Sequence, residues 1–252
     1  MELEFLGTGT SVGVPQIGCN CEVCTSHDKH DKRLRASVIV RTRGKSILID
    51  CGPDFRTQIL RATDHRLDAL IITHTHYDHT GGIDDLRPYC HRDPRFPLYA
   101  RAEVLRDLYS RMSYSFSEHP YPGAPVFDTY EIADKPFDCL GIKVTPLPVY
   151  HGKLLINGYR IGDLAYITDA KYIPEETLAL MRGVKVLVLN ALRYSEHASH
   201  LTVDAALHIV NLVKPQRTYF THMCHQIGLH NEVNRRLPHG VELAHDGQII
   251  RV

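Results

Sequence analysis

The segment His74-Thr75-His76-Tyr77-Asp78-His79 places four side chains able to donate to a metal within six residues. It follows the apolar run Ala69-Leu70-Ile71-Ile72, so the donors sit where a buried strand runs out into a loop. The next glycines, Gly81-Gly82, are expected to let the backbone bend sharply. Side chains alternate with period two in an extended chain, so His74 and His76 project to one side and can share a metal. Asp78 and His79 follow where the chain turns, and can diverge toward a second metal nearby. Imidazole nitrogens with a carboxylate oxygen suit zinc, iron or manganese. A histidine-rich surface turn is the competing reading, but four donors at one strand end are more specific than that.

Further runs, residues 37–40, 46–49, 184–189 and 218–220, read as strands, several of them buried on both faces. Helical patterns span 53–62, with Pro early in the helix and apolar Phe55, Ile59 and Leu60, then 174–181 and 202–213, the last with Thr202 as N-cap. Residues 41–44 and 245–247 read as hairpin turns. Strands and helices therefore alternate throughout, with hairpin and crossover connections, which excludes all-α and all-β classes. The expected class is α/β (α+β), an αββα four-layer sandwich of two sheets flanked by helices. No repeat, low-complexity tract or linker interrupts it. The stretch 113–126 is expected to be an ordered surface loop near the active site or a subunit contact.

Of seven cysteines, three cluster as Cys19-Asn20-Cys21-Glu22-Val23-Cys24 and four are scattered. Such clustering points to a metal rather than to disulfides. A tetrahedral structural zinc needs a fourth ligand. His225 is the candidate, because a helix beginning near His222 would bring the two histidines to one face, where they could serve neighbouring metals. Cys224 is the alternative. One domain over 1–252 is expected, with a small zinc-binding loop at about 19–24. Acidic and basic residues balance at 29 each, so no global field draws the chain to nucleic acid or an anionic membrane, and a small substrate is favoured. The N-terminal residues show no basic region before an apolar run, and no stretch approaches the roughly 18 apolar residues of a spanning helix. A cytoplasmic location is expected.

The pattern His-x-His-x-Asp-His resembles the signature of the metallo-β-lactamase superfamily, and the resemblance extends over residues 2–252. Asp50 after Ile47-Leu48-Ile49, His151 in Val149-Tyr150-His151-Gly152, Asp169 in Ile167-Thr168-Asp169 and His222 in Phe220-Thr221-His222 match its remaining motifs in order. The resemblance implies two divalent metals (Mn, Zn or Fe) with a hydroxide bridging them. It puts His74, His76 and His151 on one, Asp78, His79 and His222 on the other, and Asp169 on both, with Asp50 bracing the metal loop. Two such cations acidify bound water and neutralise charge developing on a phosphoryl or acyl oxygen. His200 in Ser199-His200-Leu201-Thr202 resembles the His-x-Thr histidine of the phosphodiesterase branches and is the candidate general acid, with Glu196 and His197 as weaker neighbours.

Together with the cysteine loop, these motifs resemble the PhnP group of phosphodiesterases, in which a Cys-x-Cys-x2-Cys loop and a histidine just past the last catalytic ligand hold a structural zinc. Phe5-Leu6-Gly7-Thr8-Gly9-Thr10-Ser11 and Gly82-Ile83-Asp84-Asp85-Leu86-Arg87-Pro88 are also similar to that group. The resemblance implies hydrolysis of a small phosphodiester, cyclic ribose phosphates included, and is compatible with a homodimer. The glycine-rich opening is expected to be a tight turn rather than a phosphate cradle. A ribonuclease Z-like role is disfavoured, because the 17 residues between His151 and Asp169 leave no room for a tRNA-clamping insertion. A thioesterase or lactonase of the same fold is the alternative, since the metals alone do not choose between phosphorus and carbonyl centres; His200 tilts the choice toward phosphorus. A non-catalytic PqqB-like module is disfavoured because every ligand position is filled.

Overall fold

Ser37–Thr42 and Lys45–Ile49 pair as an antiparallel hairpin whose turn, Arg43-Gly44, has φ of 49° and 72°, the geometry that matches strand twist. In the second of these strands Ile47 and Ile49 face one core and Leu48 the opposite one. Such strands, buried on both faces, need a layer on either side. The computed structural model describes residues 1–90, 95–117 and 120–252 and supplies those layers. Its strands are β1 Glu2–Gly7, β2 Ser37–Thr42, β3 Lys45–Ile49, β4 Ala69–Ile71, β5 Phe96–Ala100, β6 Phe127–Glu131 and β7 Phe137–Cys139. They continue with β8 Ile142–His151, β9 Leu154–Ile161, β10 Leu164–Ile167, β11 Val186–Asn190, β12 Arg217–Thr221, β13 Val241–Leu243 and β14 Ile249–Arg251.

Two seven-stranded sheets result, ordered β14-β1-β2-β3-β4-β5-β6 and β7-β8-β9-β10-β11-β12-β13. Each runs antiparallel up to its fourth strand, β3 or β10, and parallel beyond it. Tyr159, Tyr166, Val186 and Val188 pack between the sheets against Phe5, Val38, Ile47 and Ile49. On the outer face of the first sheet, Phe55 and Ile59 of the helix Phe55–Arg61 cover Leu48 and Leu70. On that of the second, Ala206 and Ile209 of the helix Val203–Val213 cover Leu187 and Leu189. The four layers are those of the αββα sandwich. Thr202 caps the latter helix, its hydroxyl oxygen accepting from the Ala205 N–H at 3.1 Å. No helix among the described residues is long and apolar enough to cross a membrane.

Three local expectations are corrected, and one strand, β8, is added. The turn at 245–247 is not a hairpin: β13 before it pairs with β12 and β14 after it with β1, so the chain changes sheets there. The stretch 113–126 opens with a short helix, Ser113–Phe116, and residues 118 and 119 of it lie outside the described residues. Strand β8 contains Pro146 and Pro148, which argue against a strand in sequence. They are tolerated because β7 pairs with β8 only as far as Val144, leaving one edge free beyond it. Finally, Gly81 and Gly82 have φ of −70° and −103°, which any residue adopts. Glycine is required at position 82 by close approach to backbone, since a Cβ there would stand 2.0 Å from the Gly52 carbonyl oxygen, whereas one on Gly81 would meet the Tyr77 ring at 2.7 Å, an exposed side chain that can move.

Gly52 is enclosed in the same way, since its Cβ would stand 2.0 Å from the Asp78 carbonyl oxygen. Gly52→Ala is therefore expected to lose about 3 kcal/mol of stability, because backbone on both sides cannot give way. Thermal unfolding measures it, and an unchanged midpoint contradicts the enclosure.

Candidate metal centre

Strands β3, β10 and β12 each run out into a non-glycine residue with left-handed backbone: Asp50 at φ 64°, Asp169 at 60° and His222 at 56°. Each such residue costs about 1–3 kcal/mol and persists only where its surroundings over-determine it. All three are sites that the sequence singles out, and all three turn their side chains into the same region at the strand ends. There the potential ligand atoms of His74, His76 and His151 lie within 4.8 Å of one another, and so do those of Asp78, His79, Asp169 and His222. A third group, His151, Asp169 and His200, overlaps both. Asp169 thus stands at the junction of the groups.

Asp50 is fully buried and organises the metal loop. Its carboxylate accepts from the Thr73 N–H at 2.8 Å, from the Thr73 hydroxyl at 2.8 Å and from His79 Nδ1–H at 2.6 Å. His79 Nε2 then points the other way, 3.1 Å from Asp78 and 3.2 Å from Asp169. Thr73 passes the constraint on, since its hydroxyl oxygen accepts from His74 Nδ1–H at 3.0 Å. His151 Nδ1–H donates to the Ser199 carbonyl at 2.8 Å. Each ring so fixed leaves Nε2 as the lone-pair atom, the arrangement by which outer partners orient metal-binding histidines.

The charges agree. Burial and, after it, the positive neighbour His79 hold His74 well below the usual imidazole range, and burial lowers His76 too. Burial disfavours charge on Asp78 and Asp169, yet the adjoining His79 and His222 hold both carboxyls below the ordinary range. Burial likewise opposes charge on His79, but Asp169, Asp50 and Asp78 raise it well above its ordinary value. The proton those carboxylates retain is the charge that a metal ion displaces on binding. Nε2 of His74, His79 and His222 is buried with no hydrogen-bond partner, a state expensive in a dry interior and resolved by coordination. Donor set and orphaned nitrogens together fit a divalent metal pair.

His200 is buried beside this group, with Nδ1 3.7 Å from Asp169 and its ring 4.7 Å from that of His151 and 5.0 Å from that of His222. Burial draws it down to about 3, so its ring is neutral at rest. His197 lies 4.9 Å beyond it, and Glu196 is exposed, paired with Lys171 at 2.8 Å.

The second cluster forms where the N-terminal loop meets the segment after β12. Ligand atoms of Cys19, Cys21, Cys24 and His225 lie within 4.8 Å of one another, with His225 Nδ1 3.1 Å from Cys21 Sγ and 3.5 Å from Cys19 Sγ. The Cys24 N–H and the His225 ring draw the Cys21 thiol down to about 6, while burial pushes Cys24 up to about 11. Cys224, the other candidate, stands apart, its thiol facing Gln226. The glycines of the opening segment pack closely instead of cradling an anion: a Cβ on Gly7 would meet the Arg35 carbonyl at 2.1 Å, and one on Gly9 the Arg33 carbonyl at 2.8 Å.

Sequence reasoning passes over Thr73, Ser199 and Asn190, whose role is to hold other groups. Only Asn190 leaves a trace, as a polar residue ending the apolar run Val186-Leu187-Val188-Leu189.

Fold and site define a metallo-β-lactamase-type hydrolase. A family model described as Beta-lactamase superfamily domain matches residues 45–223, and the chain belongs to that superfamily, within its PhnP-like branch. A crystal structure of a diphosphatase from the PhnP family is 41% identical with a TM-score of 0.91, the match covering 100% of this chain and 97% of the other. A Porphyromonas gingivalis protein named octanoyltransferase is 43% identical over 98% of this chain, which spans only 51% of that relative. Zinc-bound PqqB from Methylobacterium extorquens, 21% identical with a TM-score of 0.78 and covered in full on both sides, shares the fold.

Cys21→Ser is expected to release zinc and lower the thermal midpoint, because the cluster ties residues 19–24 to the segment after β12. Elemental analysis and thermal unfolding read both. Full zinc content with an unchanged midpoint contradicts a structural role.

Proposed function

We propose that the chain hydrolyses a small phosphodiester at a dinuclear metal centre, with His200 as the acid that serves the leaving group. His74, His76 and His151 hold one ion, Asp78, His79 and His222 the other, and Asp169 both. The all-N/O set accepts zinc, manganese or iron. When bound, such a pair acidifies water and neutralises charge building on a phosphoryl oxygen. The observation that carries the choice of phosphorus is His200, 3.7 Å from Asp169, stacked on the His222 ring and tilted against that of His151. A phosphate anion seated there would favour the protonated ring, against the burial that disfavours it. A thiolate leaves a carbonyl centre without needing a proton, so a thioester makes less use of this group than an alkoxide leaving phosphorus does. The full-length likeness to a PhnP-family diphosphatase supports a phosphorus centre as well.

A second reading rests on the relative named octanoyltransferase, which favours an acyl ester or thioester substrate. It is weaker, because this chain spans about half of that protein and the name belongs to the whole. A ribonuclease role has less support still: β9 and β10 follow β8 through short turns, leaving no clamp between His151 and Asp169. Assay of the manganese-loaded protein against cyclic and linear diesters, diphosphates, octanoyl thioesters and lactones separates the readings. Turnover of thioesters alone overturns the phosphodiester assignment.

His76→Ala is expected to lower hydrolysis of bis(p-nitrophenyl) phosphate by about 10³-fold or more, since several kcal/mol of metal-derived stabilisation are lost. Its zinc at the cysteine cluster stays. For His200→Ala, a loss of roughly 10²-fold or more is expected with alkoxide leaving groups and a much smaller one with p-nitrophenolate, which departs without a proton. Equal losses with both contradict general-acid catalysis.

A further inference from the structure

The left-handed turn at Asp169 needs something to hold it, and the structure assigns that task to Asn190. The ladder between β10 and β11 ends at the pair Ile167 and Leu189. One residue further on, the fully buried Asn190 side chain takes over where backbone pairing stops. Its Oδ1 accepts from the Ala170 N–H at 2.8 Å, and its Nδ2–H donates to the Ala170 carbonyl at 3.0 Å. A carboxamide presents the same donor and acceptor as a peptide group, so Asn190 pairs with both backbone groups of Ala170 as a neighbouring strand would. Ala170 directly follows Asp169. With its N–H and C=O both fixed, the peptide after Asp169 cannot rotate, and the left-handed conformation at φ 60° is locked in. Freed of the clamp, Asp169 relaxes toward the extended region that an L residue prefers, and its carboxylate swings away from His79 and His222.

The same carbonyl joins a second element to the clamp. The Ala170 oxygen also accepts from the Leu201 N–H at 2.8 Å, and Leu201 directly follows His200. Behind Asn190, the Ala191 N–H donates to the Thr221 carbonyl at 3.0 Å, one residue before His222. Asn190 thus sits where the segments bearing Asp169, His200 and His222 converge, while touching none of those side chains itself. It is a positioning residue for the metal centre, and the inference rests on the reading that Asp169 is a metal ligand.

Mn²⁺ binding tests it, because a hard ion reports the N/O centre and not the thiolate cluster. Calorimetric titration of Mn²⁺ into chain that retains its cysteine-bound zinc would compare wild type, Asn190→Ala, Asn190→Asp and, as a control, Val188→Ala. Asn190→Asp keeps the acceptor for the Ala170 N–H and loses the donor to its carbonyl. Val188→Ala disturbs the same strand between the sheets without reaching Ala170. Both Asn190 variants are expected to bind Mn²⁺ about 10–100-fold more weakly with zinc content unchanged, as outer partners of metal ligands do. Val188→Ala is expected to lower the melting temperature and leave Mn²⁺ affinity alone. Wild-type affinity in the Asn190 variants, or an equal loss in Val188→Ala, overturns the positioning role. A wild-type chain that takes up no Mn²⁺ overturns the metal-centre reading instead, and the inference with it.

Discussion

The metal loop depends on one buried carboxylate. Asp50 has no solvent to stabilise it, and burial pushes its pKa up even against the pull of His79, so every oxygen lone pair it satisfies must be satisfied by the chain. Thr73 and His79 do this from a single direction, since β3 and β4 run parallel and end side by side, with the Asp50 N–H donating to the Ile71 carbonyl at 3.0 Å. Removing one partner of such a group costs more than the bond is worth, because a buried charge is left uncompensated. The loop is therefore held as a unit. Cys51 N–H donates to the His79 carbonyl and Gly82 N–H to the Cys51 carbonyl, with glycine at each point of closest approach.

What Asp50 does for the first sheet has a counterpart in the second. Both sheets repeat the same order of strands, and in both the fourth strand ends in an aspartate with left-handed backbone. In one half the aspartate reaches across to the neighbouring strand's end, at Thr73; in the other the neighbouring strand, through Asn190, reaches back. Asp50 braces His79 from behind the site, whereas Asp169 itself stands beside His79 and His222. The difference lies in which neighbour supplies the polar side chain.

Much of this is legible in the chain itself, because ligand chemistry is local. His74 and His76 share a side by strand periodicity alone, and the runs around Ile47 and Leu187 can only be strands with a layer on each face. The thiolate loop is legible for the same reason. What the sequence hides depends on which strand ends become neighbours. The grip of Asn190 on Ala170 spans 20 residues, with no motif to mark it. Strand β8 hides behind its prolines, whose cost depends on a free edge that no local rule reveals. The turn at 245–247 shows the same limit, since its residues specify a reversal but not whether the chain returns to the same sheet.

The ligands are drawn from both sheets: residues 74–79 follow β4 of the first, while Asp169 and His222 end strands of the second and His151 closes its long hairpin. Coordination by these residues would therefore also act as a rivet across the seam of the sandwich. Occupancy and cohesion of the two halves would then be linked, free metal lowering the population of sub-globally opened molecules as it raises the fraction of competent sites. Amide hydrogens of β4 and β10 would feel chelation, though no ligand lies within either strand.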